Sequence, residues 1–163
     1  MTIIADASSL ILLSKISVLE TFVERNDATI SKIVYNEVIK GKEKGREDSI
    51  IVEKLVQESK LKVKIPNKLI KNKIEKLFNL RKGELDVISL AYKTNHAVLT
   101  DDKKCLNAAK ALGIEFIVSL DVIIVLYKKN VITREKALEC INRLEDYGWY
   151  SKNLIKSYLE EIK

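Results

Sequence analysis

Short apolar runs alternate along this chain with longer stretches of helical periodicity, and that alternation most limits how it can fold. Residues 2–5, Ala97–Leu99 and residues 114–118 are too short for helices, and each is bounded by polar residues. Runs of that kind read as strands buried on both faces. Strands separated by helix-length segments pair in parallel, because each crossover carries the chain back along a helix. The single proline and five glycines argue against a turn-rich all-β fold. The predicted class is α/β: a small parallel sheet flanked by helices, a three-layer α/β/α arrangement with a helical C-terminal extension.

In chain order the pattern predicts a strand at 2–5, a helix carrying Leu10, Leu12, Leu13 and Ile16, and a short helix at 18–23. An extended segment follows at 28–30, then a helix capped by Ser31 that runs through Ile39. Residues 41–48 read as a charged, glycine-bearing loop, followed by a helix to about Glu58 and a strand at 61–65 closed by Pro66. A lysine-rich helical stretch covers 67–80, and another runs from near Gly83 to about Lys93. After the strand Ala97–Leu99 comes a helix at 102–112 ended by Gly113, then a strand-like segment at 114–118. From Ser119 onward three helices are broken near Asn130 and Gly148. One domain over 1–163, with about 120–163 as its helical C-terminal part, is the simplest division.

No apolar run approaches the ~18 residues of a membrane span, and no signal peptide is evident, so a cytoplasmic protein is expected. Cys105 and Cys140 lack CxxC spacing and read as buried thiols in a reducing compartment. The formal net charge of +6 and isoelectric point near 9.2 suit a polyanionic partner such as RNA or DNA. A lysine-rich solvated surface gives the same excess, so charge alone does not choose between them.

The acids say more. The strand at 2–5 ends in Asp6, and Ala97–Leu99 ends, through Thr100, in Asp101 and Asp102. Sites in parallel sheets form at the carboxyl ends of strands. An aspartate there also caps the following helix, but two strands ending this way strengthen the case for a site. Glu37 shares a helical face with Ile33 and Val34 at the border of the apolar stripe. Glu84 is four residues before Ile88, on the buried side. Asp86 groups instead with Ser89 and Lys93 on a more polar side. A lone buried carboxylate costs several kcal/mol unless it is paired or holds a metal. His96 is the only histidine, and no GxSxG, phosphate loop or CxxC pair is present. Carboxylates without His or Cys suit the hard ions Mg²⁺ or Mn²⁺.

Four segments carry a family resemblance: IIADASSLILLSKI, ISKIVYNEV, RKGELDVISLAYKTNHAVLTDDKKCLNAAKALGI and YGWYSKNLI. In that order they resemble PIN-domain proteins, the fold shared by VapC-type toxins and RNA-processing nucleases, most nearly an uncharacterised prokaryotic and largely archaeal branch. The resemblance implies a parallel sheet with acids converging at one pole. It makes Asp6 the first acid, Glu37 the second, Glu84 the third and Asp102 the fourth, with the adjacent Asp101 as an alternative or a supporting residue. Ser8 and Thr100 match the hydroxyl residues near the first and last acids. It further implies a divalent-metal-dependent ribonuclease, a homodimer, and one of two roles: the toxin of a toxin–antitoxin pair bound by an antitoxin protein, or a housekeeping RNA-processing enzyme.

In this reading Asp6, Glu84 and Asp102 ligate the metal, with Asp101 beside them, and Glu37 orients water. Lys42, Lys44, Arg46, Arg81, Lys82, Lys103 and Lys104 are candidate phosphate contacts for RNA, and single strands are the expected target because the phosphate must reach a recessed pocket. Two rivals are a catalytically inactive PIN module that binds RNA or a protein partner, and an aspartyl phosphotransfer or receiver domain. The second leaves Glu37 and Glu84 without a role. For a dimer face the apolar candidates are Ile123, Ile124, Leu126 and Tyr127, which fit a core equally well.

Overall fold

Among the described residues, six helix starts are set by a residue whose side chain accepts a hydrogen bond from a free backbone N–H group: Asp6, Ser31, Asn67, Asp102, Thr133 and Ser151. A computed structural model describes residues 1–148 and 150–162. Trp149, inside the tail segment YGWYSKNLI, and Lys163, the last residue of the expected helical extension, lie outside the described residues. The strands are β1 (Ile3–Ala5), β2 (Ala28–Ser31), β3 (Leu61–Lys64), β4 (Ala97–Leu99) and β5 (Phe116–Ile117). The helices are α1 (Ala7–Lys15), α2 (Leu19–Arg25), α3 (Lys32–Ile39), α4 (Glu47–Gln57), α5 (Lys68–Leu77), α6 (Lys82–Ala91), α7 (Lys103–Ala111), α8 (Ser119–Lys128), α9 (Arg134–Tyr147) and α10 (Lys152–Glu160).

The five strands form one sheet in the order β3-β2-β1-β4-β5, and every pairing is parallel. The chain builds outward from β1 in one direction, then returns to the other side of β1 with β4. That reversal leaves a crevice beyond the carboxyl ends of β1 and β4, where ligands bind in open sheets of this kind. β1 and β4 are wholly buried, with Ile4, Ala5, Val98 and Leu99 at the centre of the core.

Several expected boundaries move for physical reasons. Asn67 accepts from Leu69 N and Ile70 N, so it caps α5 rather than belonging to it, and α5 ends at Leu77 where the backbone turns extended at Phe78. α4 begins inside the segment read as a charged loop, because Glu47 and Asp48 sit in its first turn, where the helix dipole favours acids. β5 is only two residues long and, like β3 on the opposite side, is an edge strand, paired to β4 alone. Gly113 closes α7 at φ +65, a left-handed conformation that favours glycine.

α8 and α9 pack on the body of the protein through Leu120, Ile123, Cys140, Ile141 and Leu144, all of them buried. Ile123, Ile124 and Leu126 are therefore core, not a free dimer face, and Tyr127 is half-buried against the same core. Arg143 Nη2 donates to the Lys15 carbonyl, tying α9 to the end of α1. No described helix is long and apolar enough to cross a membrane. Both cysteines are buried and unpaired by disulfide.

Candidate active site

At the crevice the chain brings four carboxylates around one cavity of about 320 Å³: Asp6, Glu37, Glu84 and Asp102 line it together with Ser8, Gly83 and Arg81. They arrive from separate elements. Asp6 follows β1, Asp102 follows β4, Glu37 stands on α3, and Glu84 is in the first turn of α6.

Asp6 is the deepest, 3% exposed. Its Oδ1 accepts from Ser9 N at 2.8 Å, which caps α1, and from Ser8 Oγ at 2.9 Å. Its Oδ2 accepts from the Thr100 hydroxyl, joining the ends of β1 and β4. Burial pushes its pKa up to about 6, against the lowering effect of those three donors, with Asp101 adding a smaller upward push. The group therefore keeps its proton to a higher pH than an ordinary aspartate does.

Glu84 is 8% exposed. Its Oε2 accepts from Arg81 N and its Oε1 from Arg81 Nε, each at 3.1 Å. The same guanidinium reaches Asp102 Oδ2 at 3.6 Å. Asp102 Oδ1 caps α7 by accepting from Cys105 N at 2.9 Å, while its own N–H is held by Thr100 Oγ1. Glu37 is more exposed than its sequence pattern suggests and stands at the rim. Partial burial of its head, then the nearby Glu84 charge, raise its pKa above the ordinary carboxylate value. Gly83 makes this approach possible: a Cβ there would lie 2.8 Å from Glu37 Oε2. Cys105, under the cavity, is kept a neutral thiol, because burial and then Asp6 push its pKa far up.

Asp101 faces away from this cavity. It accepts from Ser9 Oγ (2.8 Å), Ser119 N (3.1 Å), Ser119 Oγ (2.5 Å) and Tyr150 OH (2.6 Å). Those bonds tie α1, α8 and the segment before α10 to the end of β4. Of the two adjacent aspartates, Asp102 lines the cavity and Asp101 is enclosed by hydroxyl and amide donors.

Asp86 corrects the sequence reading. It is 2% exposed rather than on a polar side, and Lys71 Nζ lies 2.6 Å from its Oδ1, fastening α5 to α6. Ser89 is buried as well, satisfied by the Leu85 carbonyl. Lysine was not an obvious partner from sequence, because Lys71 belongs to a different helix. Among the proposed phosphate contacts, Arg81 lines the cavity and Lys103 a neighbouring groove. Lys42 and Arg46 are instead paired with Glu53 and Asp48, and neither they nor Lys44, Lys82 and Lys104 line the cavity.

The donor set is all oxygen, which suits Mg²⁺ or Mn²⁺. Among the described residues no three His, Cys, Asp or Glu side chains are gathered closely enough to grip an ion as they stand. The carboxylates ring the cavity instead, and the Arg81 guanidinium bridges two of them as a cation would. The residues fit a divalent ion in charge and ligand type, provided Arg81 yields its place.

A family model described as a PIN domain matches residues 2–163. Endoribonuclease Nob1 of Pyrococcus abyssi (strain GE5 / Orsay) is 35% identical over 80 residues, covering 45% of this chain and 50% of that protein. The chain thus spans about half the length of the curated relative it matches.

Proposed function

The chain belongs to the PIN-domain family, and on that premise we propose that it is an endoribonuclease that hydrolyses single-stranded RNA with a divalent cation held by Asp6, Glu84 and Asp102. The observation that carries this reading is the meeting of four carboxylates from four elements around one cavity at the sheet's reversal point. Partial likeness to an endoribonuclease supports the substrate class. A bound Mg²⁺ or Mn²⁺ would supply activation of water and offset charge at the attacked phosphate.

The chain's own groups do the positioning. Ser8, Ser9 N and Thr100 hold Asp6 so that its carboxylate cannot rotate away. Glu37, with its raised pKa, is suited to take a proton from water at the rim. Water attacks phosphorus as the bond to the leaving sugar oxygen breaks, giving one phosphate-ended and one hydroxyl-ended fragment. Arg81 leaves Glu84 and Asp102 and pairs with a phosphate oxygen. A toxin role would add a small antitoxin gene beside this one, whose product fills the same cavity.

Incubating a random RNA pool with and without Mn²⁺ tests the proposal. Cleavage by the wild type that Asp6→Asn abolishes, with the fold intact by circular dichroism, is expected; cleavage that survives in that variant rejects it. The Arg81 bridge favours one second reading, a nuclease-silent module that binds RNA. That reading predicts RNA binding with no cleavage at any Mn²⁺ concentration.

A further inference from the structure

A second cavity, of about 530 Å³, opens beside the acidic one, and Ser8, Ile11, Arg81 and Asp102 line both. The two make a continuous trough with the carboxylates at one end. Asp101, its oxygens taken up by Ser9, Ser119 and Tyr150, also borders the second cavity, and beyond it the character changes. Leu12, Leu106 and Leu154 give it apolar walls, Tyr147 stands among them, and Lys15 and Lys103 add two exposed cations.

Tyr147 is 47% exposed, a large ring left open to the trough's surroundings. Lys15 Nζ lies 4.9 Å from its ring centroid, so an aromatic face and an ammonium are presented together. The end of α9 that carries it is fixed from several sides. Tyr150 packs where a Cβ on Gly148 would collide with its ring, and its hydroxyl donates to Asp101 Oδ1 at 2.6 Å. Arg143, one helical turn before Tyr147, bonds the Lys15 carbonyl. These contacts explain what Asp101 does: it is a positioning residue that holds Tyr150 against α1 and α8.

We propose that this trough is a subsite for the nucleotide next to the scissile phosphate of single-stranded RNA. The base stacks on Tyr147, and the adjoining phosphate sits between Lys15 and Lys103. The inference rests on the nuclease reading above. Continuity with the acidic cavity and the mixture of apolar wall, ring and cations match an unpaired nucleotide, whose base has an exposed face and whose backbone is charged. A base held in a duplex has no free face to offer the ring. An apolar peptide strand would leave both lysines unmatched.

Fluorescence anisotropy with a labelled uridine oligoribonucleotide of about twelve nucleotides, run in EDTA, reads the subsite directly. Tyr147→Ala should weaken binding roughly five- to tenfold, Tyr147→Phe should restore it, and an abasic ribose-phosphate oligomer should bind wild type and Tyr147→Ala equally. Lys15→Ala should lower the slope of log affinity against log salt by about 0.7. Unchanged RNA affinity in a folded Tyr147→Ala overturns the subsite, as does an equal loss with the abasic oligomer. So does an apolar peptide that binds through Tyr147 while RNA affinity ignores the substitution. Cleavage in the same series separates the two readings. A wild type that binds RNA through Tyr147 but never cuts overturns the nuclease alone. One that cuts with the same KM as Tyr147→Ala overturns the subsite alone, and no RNA binding by wild type overturns both.

Discussion

Replacing Asp6 by asparagine should stabilise the metal-free protein. The pKa of Asp6 rises from 3.8 to about 6 on folding, chiefly through burial. Because the folded chain holds this proton more tightly than the unfolded chain, the wild type loses stability as pH rises from 3.8 through about 6. The loss is complete above that value. Slightly over two pKa units at 1.36 kcal/mol each come to about 3 kcal/mol at pH 8. Asparagine keeps the shape and can still accept from Ser9 N, but its amide nitrogen cannot accept from Thr100, and one lost hydrogen bond returns ~1 kcal/mol. The net gain is about 2 kcal/mol, or roughly 4–8 °C in Tm for a chain of this size. Differential scanning fluorimetry in EDTA at pH 8 and pH 4 measures it. The variant should melt higher at pH 8, and the difference should shrink toward zero, or slightly reverse, by pH 4. Adding Mn²⁺ should raise the wild-type Tm and leave the variant unmoved. A variant that melts lower at pH 8, or a difference that ignores pH, would refute the argument that a buried charge is being relieved.

The two neighbouring aspartates should part company under substitution. Asp102→Ala removes a helix cap, costing ~1 kcal/mol, yet should abolish cleavage. Asp101→Ala leaves the Ser9, Ser119 and Tyr150 donors without their acceptor and should lower stability by ~2–4 kcal/mol in urea titrations. Equal stability losses for the two would contradict their separate placement. Gly83→Ala should be nearly neutral for stability, within ~1 kcal/mol, because only the flexible tip of Glu37 must yield. The same displacement should lower kcat by roughly tenfold or more; full activity would mean that the position of Glu37 does not matter.

The strands at the centre of the sheet were legible because their apolar runs are short and abrupt. Ala97–Leu99 has the bounds expected, and the run at 2–5 differs by one residue at its start. Edges were harder. β5 covers only two of the five residues expected at 114–118. The convergence of Asp6, Glu37, Glu84 and Asp102 follows from strand ends and helix faces together, which the order of motifs implied. Neither the choice between Asp101 and Asp102 nor the burial of Asp86 could be read locally. Each depends on partners far away in sequence: Ser119 and Tyr150 for Asp101, Lys71 for Asp86. Helical spacing places a residue on a face but does not say which other helix covers it.

The four carboxylates differ in what the fold gives them, and the difference suits them to different tasks in the proposed reaction. Asp6, Glu84 and Asp102 each stand at a helix start, where α1, α6 and α7 offer free N–H groups. The positive end of the helix dipole favours the ionised form there, by roughly 0.3–1 kcal/mol each. Glu37 has no such support. It lies in the second half of α3, where the dipole opposes negative charge, and it faces Glu84. Three acids are thus held in place by backbone N–H groups at helix starts, Asp6 and Asp102 as caps and Glu84 from the first turn of α6, which suits fixed ligands. The fourth is on a rim, free of backbone bonds among the described residues and with its proton affinity raised, which suits a group that must gain and lose a proton. In the proposed nuclease this division of labour follows from where the helices start, so moving the acid from α3 to a cap position should fix it in place and cost the proton transfer.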